Sequence, residues 1–403
     1  MLGTPTFRLE PPRLRTIEDL GAERHATWFE LYFDLVFAAA AIELATGLAK
    51  HPSAAVFARF FGLFAAVSWA WTGFTVYANR FDTDDVIYRL MKGAAALAVA
   101  AIAVEIPRLL AGDGGTVEFA AGYAIVRFLL VGLYVRAWFN VRGEGRRLVD
   151  SYIVAFSFTA TLWAVSIVVP EPYRFVLWGL ALGLDLCVPP FSWGLLGGVP
   201  IVVSHVTERF GQFFIVVLGQ SVASVVGAVA GFHFGLDARV VATACFVTAL
   251  AMWWIYFDLA DTSVVARGRL ALIYLYGHFL LFPGVAAFAA GTTLAITHAD
   301  HPALAAGPRW ALAGGLAAFV LSLSVVHLGA EWTSTRDRTF LGRMALIGLL
   351  VTLAAAGGGI DPLVFVLITA IAMTGQLLLE AFTFPTGAAS ILDSPTPATD
   401  SPG

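Results

Sequence analysis

Three carboxylates, Glu30, Asp34 and Glu43, sit within one apolar run near the start of this 403-residue chain. An ionised group in hydrocarbon costs several kcal/mol unless it is paired or hydrated, so each acid kept there is a candidate for binding or relaying a cation or proton. Glu30 and Asp34 are four apart and stack on one face of a helix, whereas Glu43 falls about 180° around from Asp34. The same acids have a structural use: they can accept hydrogen bonds from neighbouring helices or pair with arginines at the interface.

Further polar groups sit in later apolar runs. Arg127 and Asp185 lie near the middle of theirs and at similar depth, which predicts a buried ion pair. Such a pair sets helix register; unpaired, Arg127 would suit an anionic ligand. Gln212 and Gln220 are eight apart on one helix face, where amides bridge helices or coordinate an ion. His278 and His327 offer a proton relay or axial ligands, although one histidine per helix is more often a packing residue. Carboxylates also cluster beside arginines in Asn79-Arg-Phe-Asp-Thr-Asp-Asp85 and in Tyr256-Phe-Asp258-Leu-Ala-Asp261, as an interfacial cap or as a vestibule for ions. Metalloprotease, serine-hydrolase, phosphate-loop and di-iron motifs are missing, so an enzyme would have to assemble its chemistry from scattered residues. No metal and no cofactor is expected.

The elements that must position these groups are transmembrane helices. The chain is 59% hydrophobic and only 13% charged, against roughly a quarter charged in soluble domains. Apolar runs of about 20 residues, enough to cross the hydrocarbon, occur at Trp28–Ala49, Val56–Tyr77, Gly93–Leu110, Phe119–Phe139, Val149–Val169 and Phe175–Phe191. They continue at Phe210–Ala230, Val240–Leu259, Leu270–Ile296, Trp310–Ala330, Phe340–Ala356 and Pro362–Phe382. The expectation is an all-α polytopic bundle of about twelve spans, with strands disfavoured because backbone groups in lipid must be satisfied within the segment. Basic residues alternate between loops as the positive-inside rule requires. With a cytoplasmic N-terminus, 17 fall inside, Arg209 and Lys92 among them, 6 outside, and Arg127 mid-span. Both termini are therefore expected in the cytoplasm.

The net charge of −4 comes with no basic face for nucleic acid; the lipid bilayer and an unidentified small solute or ion are the expected partners. Cys187 and Cys245 fall in apolar runs and read as small core residues. Residues 1–24 form a polar, proline-containing cytoplasmic segment without a signal-peptide core, and the Pro/Ser/Thr-rich residues 384–403 form a disordered tail. Gly179/Gly183 and Gly227/Gly231 have the spacing that lets helices approach closely.

Six spans per half raise the possibility of duplication within the transmembrane domain 25–383. Glu30 and Asp34 open the first span as Glu208 and Gln212 open the seventh, with His25 and His205 preceding them and Glu43 one place from Gln220. The halves would be 25–193 and 204–383, parallel repeats related by an axis along the membrane normal.

Four segments together resemble the bacterial low temperature requirement A family. They are Trp28-Phe-Glu-Leu-Tyr-Phe-Asp-Leu-Val-Phe37, Asn79-Arg-Phe-Asp-Thr-Asp-Asp85, the run from His205-Val-Thr-Glu-Arg-Phe-Gly-Gln212 to Gly-Gln-Ser221, and Trp253-Trp-Ile-Tyr-Phe-Asp258. The likeness spans about residues 24 to 382 and implies a multi-spanning bacterial membrane protein. It marks Glu30, Asp34, Asp82, His205, Glu208 and Asp258 as signature positions. Relatives often carry glutamine at Glu43 and glutamate at Gln220, so a carboxylate is exchanged between the first and seventh spans. The functional expectation is a secondary transporter or channel-like permease of the inner membrane, with Glu30, Asp34, Glu43, Gln212 and Gln220 along the path. A membrane enzyme acting on lipid and a non-catalytic sensor or scaffold are the alternatives.

Overall fold

A computed structural model describes residues 9–15, 26–192, 202–230, 235–258, 271–329 and 335–383. Twelve helices in it are long and apolar enough to cross a bilayer, as the hydropathy predicts. The chain divides into two compact units, Met1–Val217 and Leu218–Gly403. Their division falls inside the seventh span.

The first unit holds α1 (Trp28–Lys50), α2 (Ala54–Arg80), α3 (Val86–Ala111), α4 (Thr116–Trp138), α5 (Glu144–Ser166), α6 (Tyr173–Phe191) and the start of α7 (Val203–Ala230). Short polar side chains start several of them. Thr27 caps α1 and receives Glu30 in return, a reciprocal capping box that satisfies two backbone donors. Ser53 caps α2 and Asp85 caps α3. Thr27→Ala is expected to cost about 1 kcal/mol, read as a lower unfolding midpoint in detergent; an unchanged midpoint would show that the cap contributes nothing.

Polarity in this unit runs opposite to that of a soluble domain. Leu90, Leu97 and Val104, spaced by seven along α3, are 68%, 74% and 71% exposed, a continuous apolar stripe that only a lipid solvent tolerates. The opposite face of α3, with Ala95, Val99, Ile102 and Ile106, packs inward against α1 and α4 and takes Lys92 with it. Charge is inside and hydrocarbon outside.

The second unit continues α7 and adds α8 (Leu236–Asp258), α9 (Ala271–Thr297), α12 (Arg338–Ala356) and α13 (Pro362–Thr383). The tenth span is composite: α10 (Ala306–Arg309), a π-helical turn Trp310–Gly314, then α11 (Gly315–His327). Glycine brings α9 and α11 together. A Cβ on Gly284 would lie 2.9 Å from the Gly315 oxygen, and one on Gly315 would lie 2.6 Å from the Gly284 oxygen. The glycines singled out by spacing do not act this way. Gly179, Gly183 and Gly227 have nothing within 4 Å of a Cβ position, because spacing marks a face without saying whether another helix meets it; Gly231 lies outside the described residues.

Short strands β1 (Arg13–Leu14) and β2 (Phe81–Asp82) pair antiparallel, with Arg13 opposite Asp82. Part of the amino-terminal segment expected to be a plain polar arm is thus tied to the α2–α3 connection. Arg15 reaches Asp82 at 2.8 Å, Arg136 of α4 donates to the Glu10 carbonyl at 2.6 Å, and Glu10 N–H donates to Asp85 at 3.3 Å. Strands form here because these backbone groups lie beyond the helix ends.

Candidate functional site

The acids of α1 converge with the basic side chains of α7 and α3. Asp34, buried, accepts at one oxygen from the Trp71 indole N–H at 2.6 Å and from Arg209 Nη2 at 2.7 Å. Trp71 is held by stacking on Phe213 at 4.5 Å and by the edge of Phe210 at 4.9 Å, so α2 aims its N–H rigidly. One turn before Asp34, the Glu30 carboxylate accepts from Thr27 through Oε2, while Oε1 stands 3.5 Å from His205 Nε2. Lys92 is buried among aromatic rings, with its ammonium 4.6 Å from the centre of Phe33 and 5.2 Å from that of Tyr88.

Asn79 sets the histidine. Its amide donates to the Val202 carbonyl at 2.9 Å and its oxygen accepts from Val202 N–H at 3.3 Å, two bonds that orient the side chain. The same NH2 lies 3.3 Å from His205 Nδ1. Nδ1 must accept there, which leaves the proton of a neutral imidazole on Nε2, facing Glu30. The formal charges of Glu30 and Asp34 balance those of Lys92 and Arg209, a requirement for so many ionised groups in one interior.

The Asp34–Arg209 pair is incomplete. Asp34 Oδ2 and Arg209 Nε and Nη1 are buried and have no partner among the described residues, a state that Asp185 Oδ2 and Arg127 Nε and Nη1 share. A carboxylate can accept bidentate arginine, and the second unit has that arrangement: Arg343 meets Glu380 through Nε at 2.8 Å and Nη2 at 2.6 Å, with Gln376 adding 2.7 Å. Asp34 and Arg209 therefore hold capacity for a proton, an ion or water that Arg343 and Glu380 have spent on each other.

The expected Arg127–Asp185 pair is formed, at 2.7 Å, with both side chains fully buried and Thr159 donating to the same carboxylate oxygen at 2.7 Å. Arg127 also lies over the Phe156 ring at 4.7 Å. Gln212, expected along the path, donates to Glu208 of its own helix at 3.0 Å, and Glu208 also accepts from Ala26 N–H at 3.1 Å. Glu43 and Gln220 are half-buried; Glu43 lies about 13 Å along α1 from Asp34, and Gln220 belongs to the second unit.

His278 has both ring nitrogens engaged, Nδ1 with the Tyr274 carbonyl at 2.7 Å and Nε2 with the Tyr256 hydroxyl at 2.8 Å. His327 pairs with Asp337, the cap of α12, at 2.9 Å. Asp82 accepts from Arg13 and Arg15. The Asp258 side chain and Asp261 lie outside the described residues, as do His25, Arg267, Arg269 and the carboxyl-terminal tail.

Sequence reasoning assigned Arg209 and Lys92 to loops; both are buried partners of the acids, because each stands nearly two turns inside its helix on a face turned toward the acids. The four-residue spacing of His205 and Arg209 was the available signal, since it sets both on one face of α7. Trp71 gave no sign by sequence.

Comparison with known proteins places this arrangement in context. The family described as Bacterial low temperature requirement A protein matches residues 25–378. A curated protein of Rhizobium meliloti (strain 1021), described as uncharacterized, is 25% identical over 316 residues, covering 69% of this chain and 74% of the relative.

Proposed function

This chain belongs to the bacterial low temperature requirement A family, and from that premise and the charge chemistry of its first unit we propose that it is a secondary transporter or channel-like permease for an ion or small solute. It works in the bacterial inner membrane with both termini in the cytoplasm, the orientation favoured by its alternating basic loops.

The observation that carries this reading is the half-used pair of Asp34 and Arg209 set one helical turn from a second acid and its histidine, Glu30 and His205, a company that the equally half-used Arg127–Asp185 pair lacks among the described residues. The spare acceptor and donors of Asp34 and Arg209 are buried in a helix bundle, where unsatisfied charged groups are costly. A proton or cation arriving at Asp34 Oδ2 weakens the hold of Arg209, and α7 is then free to shift against α1. Departure of that ion restores the pair. The His205–Glu30 contact at 3.5 Å is long for a charge-assisted bond and responds to the same movement, because His205 and Arg209 ride one face of α7. Such a switch between two pairings links ion occupancy to helix position, the element that coupled transport requires.

Proteoliposome flux under proton, sodium and potassium gradients tests the proposal. Asp34→Asn keeps the shape and the Trp71 contact and removes the titrating charge, so gradient-driven flux is expected to fall at least about tenfold, near 1.4 kcal/mol in rate terms, in protein that remains monodisperse. Equal flux for both proteins, or none from the wild type under any gradient, removes the transport reading.

A further inference from the structure

We propose that the first unit contains a second binding site, for a single-chain amphiphile with an anionic head, in a cavity whose lining shares no residue with the Asp34 cluster. The cavity has a volume of about 430 Å³ and is walled by α2, α3, α4, α5 and α6, within the range of small-molecule sites. Its lining changes along its length. Arg59, Thr116 and Glu171 line it near the helix ends, where α3 turns into α4 and α5 into α6; Phe119, Trp163 and Trp178 line it further in. The aromatic wall is preformed, with Trp178 5.3 Å from Trp163 and 5.1 Å from Phe119 between ring centres.

Two glycines keep the space open. Gly62 of α2 and Gly179 of α6 line the cavity, and a Cβ at either would meet nothing within 4 Å. Any larger side chain there would project into free volume, so room for a ligand is preserved at the very positions where filling it would be easiest.

The charges decide which head group fits. Aromatic walls with a carboxylate could suit an organic cation, but Glu171 is already compensated: it accepts from Thr116 at 2.6 Å, and Thr116 in turn accepts from Arg174, which lies 3.4 Å from Glu171. Arg108 is likewise paired with Glu105 at 2.8 Å. Arg59 has no acidic partner among the described residues. One of its nitrogens donates to the Leu110 carbonyl at 2.9 Å, which fixes the guanidinium beside Gly112, where a Cβ would come 2.7 Å from Arg59 Nη1. Its remaining donors stay available. Arg59 is therefore the charged group on the cavity wall with donors to spare, above an apolar interior.

Equilibrium binding of labelled decanoate to the full-length protein in nanodiscs of zwitterionic lipid tests the site, with decyltrimethylammonium and decanol as competitors. Saturable decanoate binding that the cation fails to displace is expected. Arg59→Gln should weaken decanoate about tenfold or more while decanol competition is unchanged, and Gly179→Phe should abolish binding of both. Gly62→Leu provides an independent filling variant should Gly179→Phe fold poorly. Stronger binding of the cation, non-saturable uptake of all three probes, or decanoate binding indifferent to Arg59 and to both filling variants overturns the proposal. Competition by oleoyl-lysophosphatidate placed in the bilayer would identify a membrane lipid as the source; occupancy by decanoate alone would identify a water-borne amphiphile, and either carries the proposal.

Discussion

Arg127→Met is expected to lower stability by about 3–5 kcal/mol, because it leaves the Asp185 carboxylate buried beside only the Thr159 hydroxyl. Both members of the pair are 0% exposed and meet at 2.7 Å, so no solvent route relieves the charge left behind. Asp185→Leu should lose a comparable amount by stranding the guanidinium. The double replacement Arg127→Met/Asp185→Leu removes both desolvation penalties and should recover most of the loss, since an apolar pair of similar volume often does as well as a buried ion pair. Heating in mild detergent followed by size-exclusion chromatography measures all three. A double variant no better than either single one would show that the two charges do not compensate each other.

Gly284→Val and Gly315→Val should each cost at least about 3 kcal/mol, at the upper end of what overpacking brings. The atoms a Cβ would strike are mainly backbone: the Gly315 oxygen from Gly284, and the Gly284 oxygen and Phe288 nitrogen from Gly315. Backbone yields only if α9 and α11 part, and separating them opens a close helix contact of the second unit. Gly183→Ala is the counter-case. Its Cβ enters open space, so removing a glycine from a helix interior should be neutral or gain up to about 1 kcal/mol. Similar losses at all three positions would mean that backbone proximity is not what makes the α9–α11 glycines necessary.

Legibility in the sequence followed from how far each force reaches along the chain. Twelve spans were readable because crossing hydrocarbon demands about 20 consecutive apolar residues, a signal too long to arise by accident. Arg127 and Asp185 could be matched because depth in a bilayer is a single coordinate shared by both. The partners of Asp34 could not, since Arg209 and Lys92 stand near helix ends, where basic residues are ordinarily solvated, and only the packing of α7 and α3 against α1 turns them inward. Glu30 carried a readable local message in Thr27-Trp-Phe-Glu30, the spacing of a capping box, which joins its ion-binding candidacy to a structural task. The glycine pairs failed for the opposite reason: a local motif was present, but its meaning depends on which neighbour its face meets.

The clasp between the amino-terminal arm and the α2–α3 connection bears on the order of biosynthesis. Arg13 and Glu10 find their partners 69, 75 and 126 residues further along the chain. At the moment the first helix leaves the ribosome none of these has been made, so its leading arm has nothing to hold. It can begin to latch once Asp82 and Asp85 have been made, and a nascent chain arrested before that point would carry the arm loose, open to a protease that the finished protein resists; the latch is complete when the fourth helix delivers Arg136.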